Sequence, residues 1–484
     1  MNHSSTPIAN SGASKEAQPF SVKRAQVEFH NFASLGEPER NLRIYADENM
    51  RRGAVIRNHR AFIGEMTPFL EMGANAGHSS YMLCNEFGAQ GFALDLSADS
   101  LRHGRALMDA WSLERAPVRI AGDAANLPFT DGSLRFVCAF QMLSQFMDVE
   151  SVFREVARVL APGGVFLFAE EPLRRKLSLR LYRCPYYDTM KPWERRLHDW
   201  GLLGYLVRDV IGAHQEESFG IRQNHSMGLK EWHALVTKYF TSHEYEAFVP
   251  QRGWGERVVK RLAVRLDPHG SEWQAARWLG GTLAAVCKKA GDAPVREFDD
   301  FASLLRCPDC HGSLIVDSDD ALMCAACGYR AANEGQVYNL LPSAERKELY
   351  PGERADIIDF SLPGHERHLT EGWYDLEGIH GNKYRWIGGR ALAQLSRVAP
   401  GPQRLRIRGH ASAPGIPGEV RAIVNGAPVG TWKLDRQGLF VLEADLPEAE
   451  QYTLEILASP VWQVPTDDRA FTVNLSMIRL VPAV

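Results

Sequence analysis

The sequence predicts an α/β domain on an open, mostly parallel sheet, then a small cysteine-rich ribbon, then an antiparallel β-sandwich. Three observations carry that expectation. A short apolar strand runs into a glycine-punctuated turn at Phe69–Gly77, and alternating strand and helix patterns follow it to residue 170. Two Cys-x-x-Cys pairs, Cys307/Cys310 and Cys324/Cys327, stand thirteen residues apart. Beyond residue 352 come short runs that alternate apolar and polar residues, the period of a half-buried strand.

The elements follow in order. Phe69-Leu70-Glu71-Met72 is the first strand, and Gly73-Ala74-Asn75-Ala76-Gly77 turns it into a helix. A glycine turn at the carboxyl end of a first strand is where an open α/β sheet binds a nucleotide-like ligand. Gly73 and Gly77 let the backbone approach that ligand closely. Gly91–Asp95 is the second strand, and its terminal acid can accept both hydroxyls of a ribose. Val118–Ala124 holds the third strand, with Asp123 at its end. Leu127-Pro128-Phe129 and Asp131-Gly132-Ser133 turn the chain into Leu134–Phe140, the fourth. A helix over Val149–Leu160 stops at Ala161-Pro162-Gly163-Gly164, and Val165–Glu170 is the fifth strand. Phe240–Phe248 and Leu283–Lys288 complete the sheet, so this domain occupies residues 21–290.

Glu71-x-Gly73-x-x-x-Gly77 is similar to the first motif of class I S-adenosylmethionine-dependent methyltransferases. It is not Gly-x-Gly-x-x-Gly, which makes a nicotinamide dinucleotide the weaker reading. The succession over residues 69–170 resembles the methyltransferase subgroup that acts on small molecules, lipids and sugars. The resemblance implies a Rossmann-like methyltransferase domain. It implies S-adenosylmethionine held by Glu71, Gly73, Ala74, Gly77, Asp95, Leu96, Asp123, Ala124 and Gln141, with Asp123 accepting from the adenine amino group. Phe29-His30-Asn31-Phe32 resembles an N-terminal helix that relatives fold over the cofactor. Gln145 stands where many relatives carry His, so positioning is expected to carry most of the in-line displacement.

Residues 172–230 interrupt the sheet as a lid insertion. Leu173, Leu177 and Leu181 lie four apart among Arg174, Arg175, Lys176, Arg180 and Arg183, the pattern of a basic amphipathic helix. It reads as a lid with a solvated basic face, or as a site for an anionic substrate such as a nucleotide-sugar or a lipid-linked phosphate. Tyr186, Tyr187, Trp193 and Trp200 make the insertion aromatic. His225 is the first candidate for a general base, with a helix-capping or satisfied buried histidine as the alternative. Glu171, beside Glu170 at the end of the fifth strand, is the second, with the alternative that it only caps a turn.

Of the eight cysteines, Cys84 and Cys138 fall in apolar segments and read as core. The four thiolates of Cys307, Cys310, Cys324 and Cys327 match a closed, structural Zn²⁺ site. Gly312 and Gly328 follow the knuckles and are expected to make their tight turns. Leu304–Pro308, the second knuckle and Tyr338–Pro342 resemble the Trm112-like zinc-ribbon family, placing a ribbon at residues 300–345. In that family a free-standing member activates methyltransferases by docking onto them. The resemblance therefore implies a ribbon that packs against the first domain.

In the last third, Leu405–His410, Val420–Val424, Thr453–Leu457 and Phe471–Leu475 alternate with period two, and Asn425-Gly426 is a hairpin turn. Residues 352–484 are expected to be an antiparallel β-sandwich without catalytic groups. Gly372–Glu377 with Tyr384-Arg385-Trp386 resembles sandwiches appended to polysaccharide-biosynthesis enzymes. Trp373, Tyr374 and Trp386 are then a carbohydrate-stacking platform, or else core.

The bulk properties agree with these readings. The formal net charge of −4 gives no electrostatic pull toward nucleic acid, which disfavours an RNA methyltransferase. Met1–Thr6 is polar, residues 1–20 have a disordered composition, and no apolar run spans a bilayer. A cytoplasmic enzyme methylating a small-molecule or glycan acceptor is the expectation. A non-catalytic scaffold in a polysaccharide assembly is the rival.

Overall fold

The computed structural model describes residues 23, 27, 38–173, 192–193, 196, 227–248, 263–279 and 281–482, except 147, 295–297, 380–381, 399 and 466. His225, Tyr186, Tyr187, Trp200, Phe29–Phe32, the first twenty residues and all of the basic helix pattern after Leu173 lie outside the described residues.

The first domain orders α1 (Pro38–Asn58), β1 (Phe69–Met72), α2 (His78–Glu86), β2 (Gly91–Asp95), α3 (Ala98–Trp111), β3 (Val118–Ala121), β4 (Leu134–Phe140), α4 (Val149–Val159) and β5 (Leu160–Leu173). Farther along the chain come α5 (Leu229–Tyr239), β6 (Ser242–Phe248), β7 (Ala263–Arg265), α6 (Ser271–Leu279) and β8 (Gly281–Lys288). The sheet runs β3-β2-β1-β4-β5-β8-β6-β7. β1 to β5 are parallel, and β8 enters antiparallel between β5 and β6. β1 and β2 are buried at every position, as expected of parallel strands covered on both faces. α4 buries Val149, Val152, Phe153, Val156 and Val159, a helical stripe that seats it on the sheet. Strand order reverses between β1 and β4, so the ligand crevice lies at their carboxyl ends.

The fifth strand is longer than the sequence suggests. The expected stop at Ala161–Gly164 lies inside β5. Leu160 already pairs with Leu134, and the register shifts before Phe136 pairs with Val165. Gly163, at φ +75°, absorbs the irregularity.

One buried pair ties α1 to the sheet's far edge. His59, just past α1, places Nδ1 2.6 Å from Glu244 Oε2 and Nε2 3.5 Å from Glu246 Oε2. Burial alone lowers the His59 pKa, but the hydrogen bonds and charges of Glu246 and Glu244 outweigh it and raise it. A histidine whose folded pKa is raised stabilises fully below its unfolded value, near 6.5, and loses that contribution as pH climbs through the folded value. The urea midpoint is therefore expected to fall as pH rises above about 6.5. A His59→Gln variant should show less of that fall, and an unchanged slope would contradict this.

The ribbon contains β9 (Ile315–Val316), β10 (Leu322–Met323) and β11 (Arg330–Ala331) as a small antiparallel sheet, then β12 (Asn333–Glu334) and β13 (Val337–Asn339). β13 lies parallel beside β3, with Val337, Tyr338 and Asn339 opposite Arg119, Ile120 and Ala121. The ribbon thereby extends the first domain's sheet. Its Leu304, Leu305, Leu314, Leu322 and Tyr329 belong to the same buried cluster as Phe92, Leu127 and Phe129. α7 (Ser343–Leu349) follows.

The last part is a nine-stranded antiparallel sheet curled into a sandwich that approaches a barrel. Its strands are β14 (Ile357–Asp359), β15 (Leu369–Ile379), β16 (Asn382–Ser396), β17 (Gln403–Ala411), β18 (Gly418–Val424), β19 (Ala427–Leu434), β20 (Gly438–Leu446), β21 (Gln451–Ser459) and, beyond the side hairpin of β22 (Trp462–Val464) and β23 (Asp467–Phe471), β24 (Val473–Pro482). Asn425 and Gly426, at φ +50° and +82°, make the expected hairpin turn. The expected strand Phe471–Leu475 is instead two. Phe471 ends β23, and Thr472 breaks away, its N–H and hydroxyl bonding to Ile387 O at 3.0 Å each.

Both appended parts grip the β2–α3 turn. The Tyr350 hydroxyl donates to Leu96 O and accepts from Ala98 N at 2.8 Å. Gly364 N donates to the buried Asp99 carboxylate at 3.0 Å, and Arg102 donates to it at 2.6 Å. Arg102 also reaches Glu334 O of the ribbon at 3.1 Å.

Candidate cofactor site and cysteine cluster

The turn after β1 is built around two left-handed glycines. Gly73 has φ +66°, and a Cβ there would lie 2.7 Å from Met142 Cγ, so both conformation and space require glycine. Gly77 has φ +81° at the start of α2, where the space is open and the conformation alone demands it. Between them Ala74 N donates to Leu94 O at 3.0 Å, and Ala74 is fully buried.

Asp95 is fixed by backbone. Asn75 N donates to Oδ2 and Ser97 N to Oδ1, each at 2.8 Å. Each oxygen keeps a further lone pair for a ligand hydroxyl. Asp123 receives Ala125 N on Oδ1 at 2.9 Å and faces Lys23 through Oδ2 at 2.8 Å. Ala124 is buried and Leu96 half-buried beside these acids. Gln141 is exposed directly after β4, with φ +52°. The turn thus brings Gly73, Ala74, Gly77, Asp95, Leu96, Asp123, Ala124 and Gln141 to one end of the sheet.

Glu71 lies beneath the turn. Its carboxylate is enclosed, accepts from Ser80 Oγ at 2.5 Å, and is pushed up to about 7 by burial, against the pull of Arg52 and Ser80. It braces α2 and has no open path to a ligand here.

Glu171 has a similar occupation. The structure aims its buried carboxylate at the turn after β4, where it accepts from Met142 N at 2.9 Å, Leu143 N at 2.7 Å and Ser144 N at 2.9 Å. Burial pushes it up to about 7, against those three donors. The geometry is that of a cap, because an enclosed carboxylate with three backbone donors cannot reach an acceptor substrate. Glu171→Gln should cost about 1–3 kcal/mol of stability, since one backbone donor would meet an amide N–H₂. A variant with native melting temperature but abolished turnover would restore the role of base.

The sequence reading missed a polar network on α1. Arg52, 6% exposed, pairs with Glu48 at 3.3 Å and Glu170 at 3.0 Å and donates to Ser79 Oγ at 2.9 Å. Glu48 Oε2 lies 2.8 Å from His78 Nε2, and His78 stacks on Tyr45 at 4.2 Å. Burial raises Glu48, but the His78 hydrogen bond and Arg52 outweigh it and hold it at about 2. The only sequence signals were the four-residue spacing of Glu48 and Arg52 and the position of His78 right after Gly77. Asn75, Gln141 and Glu170 all adopt positive φ, at +53°, +52° and +63°. Asn75 follows β1, Gln141 follows β4 and Glu170 lies within β5, and such backbone strain in non-glycine residues clusters at functional sites.

The four ribbon sulfurs of Cys307, Cys310, Cys324 and Cys327 lie within 4.8 Å of one another. Cys307 and Cys327 are 3.6 Å apart, and Cys310 and Cys324 are 3.5 Å apart. A tetrahedral ion with Zn–S bonds of about 2.3 Å needs sulfurs about 3.8 Å apart, so the set fits zinc. The first knuckle turns at His311, φ +61°, rather than at Gly312 as the sequence suggested. Gly312 is required for space, because a Cβ there would sit 3.3 Å from the sulfurs of Cys310 and Cys324. Gly328, φ +75°, makes the second turn as expected.

Residues 70–168 match the family described as a methyltransferase domain. The chain is 27% identical to norajmaline N-methyltransferase of Rauvolfia serpentina, over 26% of this chain and 41% of that protein. It is 28% identical to the chloroplastic tocopherol O-methyltransferase of Arabidopsis thaliana, over 27% of this chain and 35% of that one. The chain thus spans less than half the length of either relative. An S-adenosylmethionine-dependent methyltransferase structure from Thermotoga maritima aligns over 55% of this chain and 99% of its own, at 14% identity and a TM-score of 0.33. Among the described residues no helix is long and apolar enough to cross a membrane. By the family match and the strand order, residues 70–168 form a Rossmann-like methyltransferase domain.

Proposed function

We propose that this protein transfers a methyl group from S-adenosylmethionine to a small-molecule acceptor. The observation that carries the reading is the single rim formed by the Gly73–Gly77 turn, the backbone-held Asp95 and Asp123. Bound there, S-adenosylmethionine supplies an electrophilic methyl group for in-line displacement. The Asp95 oxygens orient ribose hydroxyls, Asp123 takes the adenine amine, and the turn gives close backbone approach. Glu71 braces α2 behind the first turn, and Glu171 holds the turn after β4. His225, in the lid, is the candidate to take the acceptor's proton, and catalysis otherwise rests on positioning. The two matched relatives are named for the methylation of norajmaline and of tocopherol, which agrees with a small-molecule acceptor.

The acceptor we favour is a hydroxyl on a sugar or glycan precursor, handled in the cytoplasm as a nucleotide-sugar or lipid-linked phosphate. Support comes from a group of rings outside the sandwich core. Trp386 packs edge-on against Trp462 at 5.6 Å and Phe471 at 5.3 Å, and Tyr384 lies 6.2 Å away. Arg469, paired with Glu377 and Asp467, lies over Phe471 at 4.9 Å. The half-buried rings of Tyr384, Trp386 and Trp462, backed by the buried Phe471 and beside ion-paired polar groups, suit stacking on a sugar. Trp373 serves the core instead, its Nε1 donating to Leu392 O at 2.6 Å. The test is methyl transfer from labelled S-adenosylmethionine to sugar-phosphate and non-sugar acceptors. Turnover of sugars that weakens in Trp386→Ala supports the glycan reading. Turnover confined to non-sugar acceptors would remove it and leave the methyltransferase standing.

A further inference from the structure

The acid assigned to the adenine amine already has a cation on it. Lys23 Nζ lies 2.8 Å from Asp123 Oδ2 and 2.8 Å from Glu345 Oε2 on α7. Lys23 is 7% exposed. Burial works against its charge, but the two carboxylates outweigh burial and keep it protonated. Val27 occupies a helical position four residues on and is fully enclosed with Ala74, Ala121, Leu341 and Tyr350, with Leu96 against them. Lys23 thus presents N–H donors to the Asp123 oxygen that would receive the adenine amine, and Val27 packs on the residues lining the turn. An ammonium–carboxylate bond is stronger than the neutral amine bond that would replace it.

We propose that Lys23 and Val27 are a built-in competitor for the cofactor, with Lys23 filling the adenine-amine position on Asp123 while Glu345 of the ribbon holds it there. The inference rests on the reading of Asp123 as the adenine acceptor. Cofactor binds to the fraction of molecules in which Lys23 has swung away, so the apparent affinity is reduced by that fraction. The ribbon and the cofactor site are coupled through this ion pair, and a change that loosens Glu345 opens the site.

The experiment is calorimetric titration of S-adenosylmethionine into native protein, Lys23→Met, which keeps an apolar stem without the charge, and Glu345→Gln. Lys23→Met is expected to bind about ten-fold more tightly, and Glu345→Gln to move the same way by less. Limited trypsin digestion of the native protein gives a readout free of mutation, since cleavage after Lys23 should accelerate when cofactor is added. Native binding with equal or weaker binding in Lys23→Met, or slower cleavage with cofactor, would overturn the proposal while sparing the methyltransferase reading. Absence of binding in native protein and both variants, all folded, would overturn the two together.

Discussion

Chelating the metal, or replacing Cys324 with Ala, is expected to lower affinity for S-adenosylmethionine at least ten-fold and to depress the melting temperature. The ribbon's strands are short, two or three residues each, and the four-cysteine cluster fits a zinc ion that would hold them together. A structural zinc contributes on the order of 10–16 kcal/mol of apparent binding free energy to such a module. The ribbon in turn supports the cofactor rim. β13 pairs with β3, Leu340 N donates to Ala121 O at 2.8 Å, and Tyr350 brackets Leu96 and Ala98 beside Asp95. Loss of the metal therefore removes an edge of the sheet whose next strands end in Asp123 and Asp95. Release of the Lys23 competitor would offset part of that loss. Chelated protein that keeps both its melting temperature and its cofactor affinity would contradict this coupling.

Gly73→Ala is the second change with a large expected effect. An L-residue at φ +66° costs about 1–2 kcal/mol. The added Cβ would also meet Met142 at 2.7 Å, and Met142 is itself enclosed and donates its N–H to Glu171. The strain therefore spreads from the first turn to the turn after β4, which together frame the site. Stability should fall by about 2–3 kcal/mol, with cofactor affinity reduced more than ten-fold. Gly77→Ala is the comparison, because its Cβ would have room at 3.6 Å and only the φ is unfavourable, so its effect should be smaller. Equal effects would show that crowding at Met142 does not matter.

The first four strands were legible because each is a short, mostly apolar run bounded by turn residues, with Asp95 at the end of one and Asp123 just past another. The clustering of the four cysteines was legible from spacing alone. Three kinds of feature were not. The ribbon's place at the sheet edge depends on a three-residue strand, Val337–Asn339, too short to carry a periodic signal. Glu171 looked like a candidate base because its position at a strand end is the same for a catalytic acid and a cap. Only the three N–H groups aimed at it separate the two. The Arg52–Glu48–His78 network joins residues from α1 and α2 whose partners are distant in sequence. The same holds for Lys23, which meets Asp123 and Glu345 across one hundred residues and more. In the sandwich, the split at Thr472 depends on two carbonyls of β16, which no local pattern reveals.

Calorimetric titration of S-adenosylmethionine into folded, zinc-loaded protein beside an Asp95→Ala variant decides whether this rim holds the cofactor. Saturable one-to-one binding in the native protein that weakens at least ten-fold in the variant is the predicted result, since two backbone N–H groups hold Asp95 and leave each oxygen a lone pair for a ligand hydroxyl. Absence of binding in the native protein would contradict it, as would binding indifferent to Asp95.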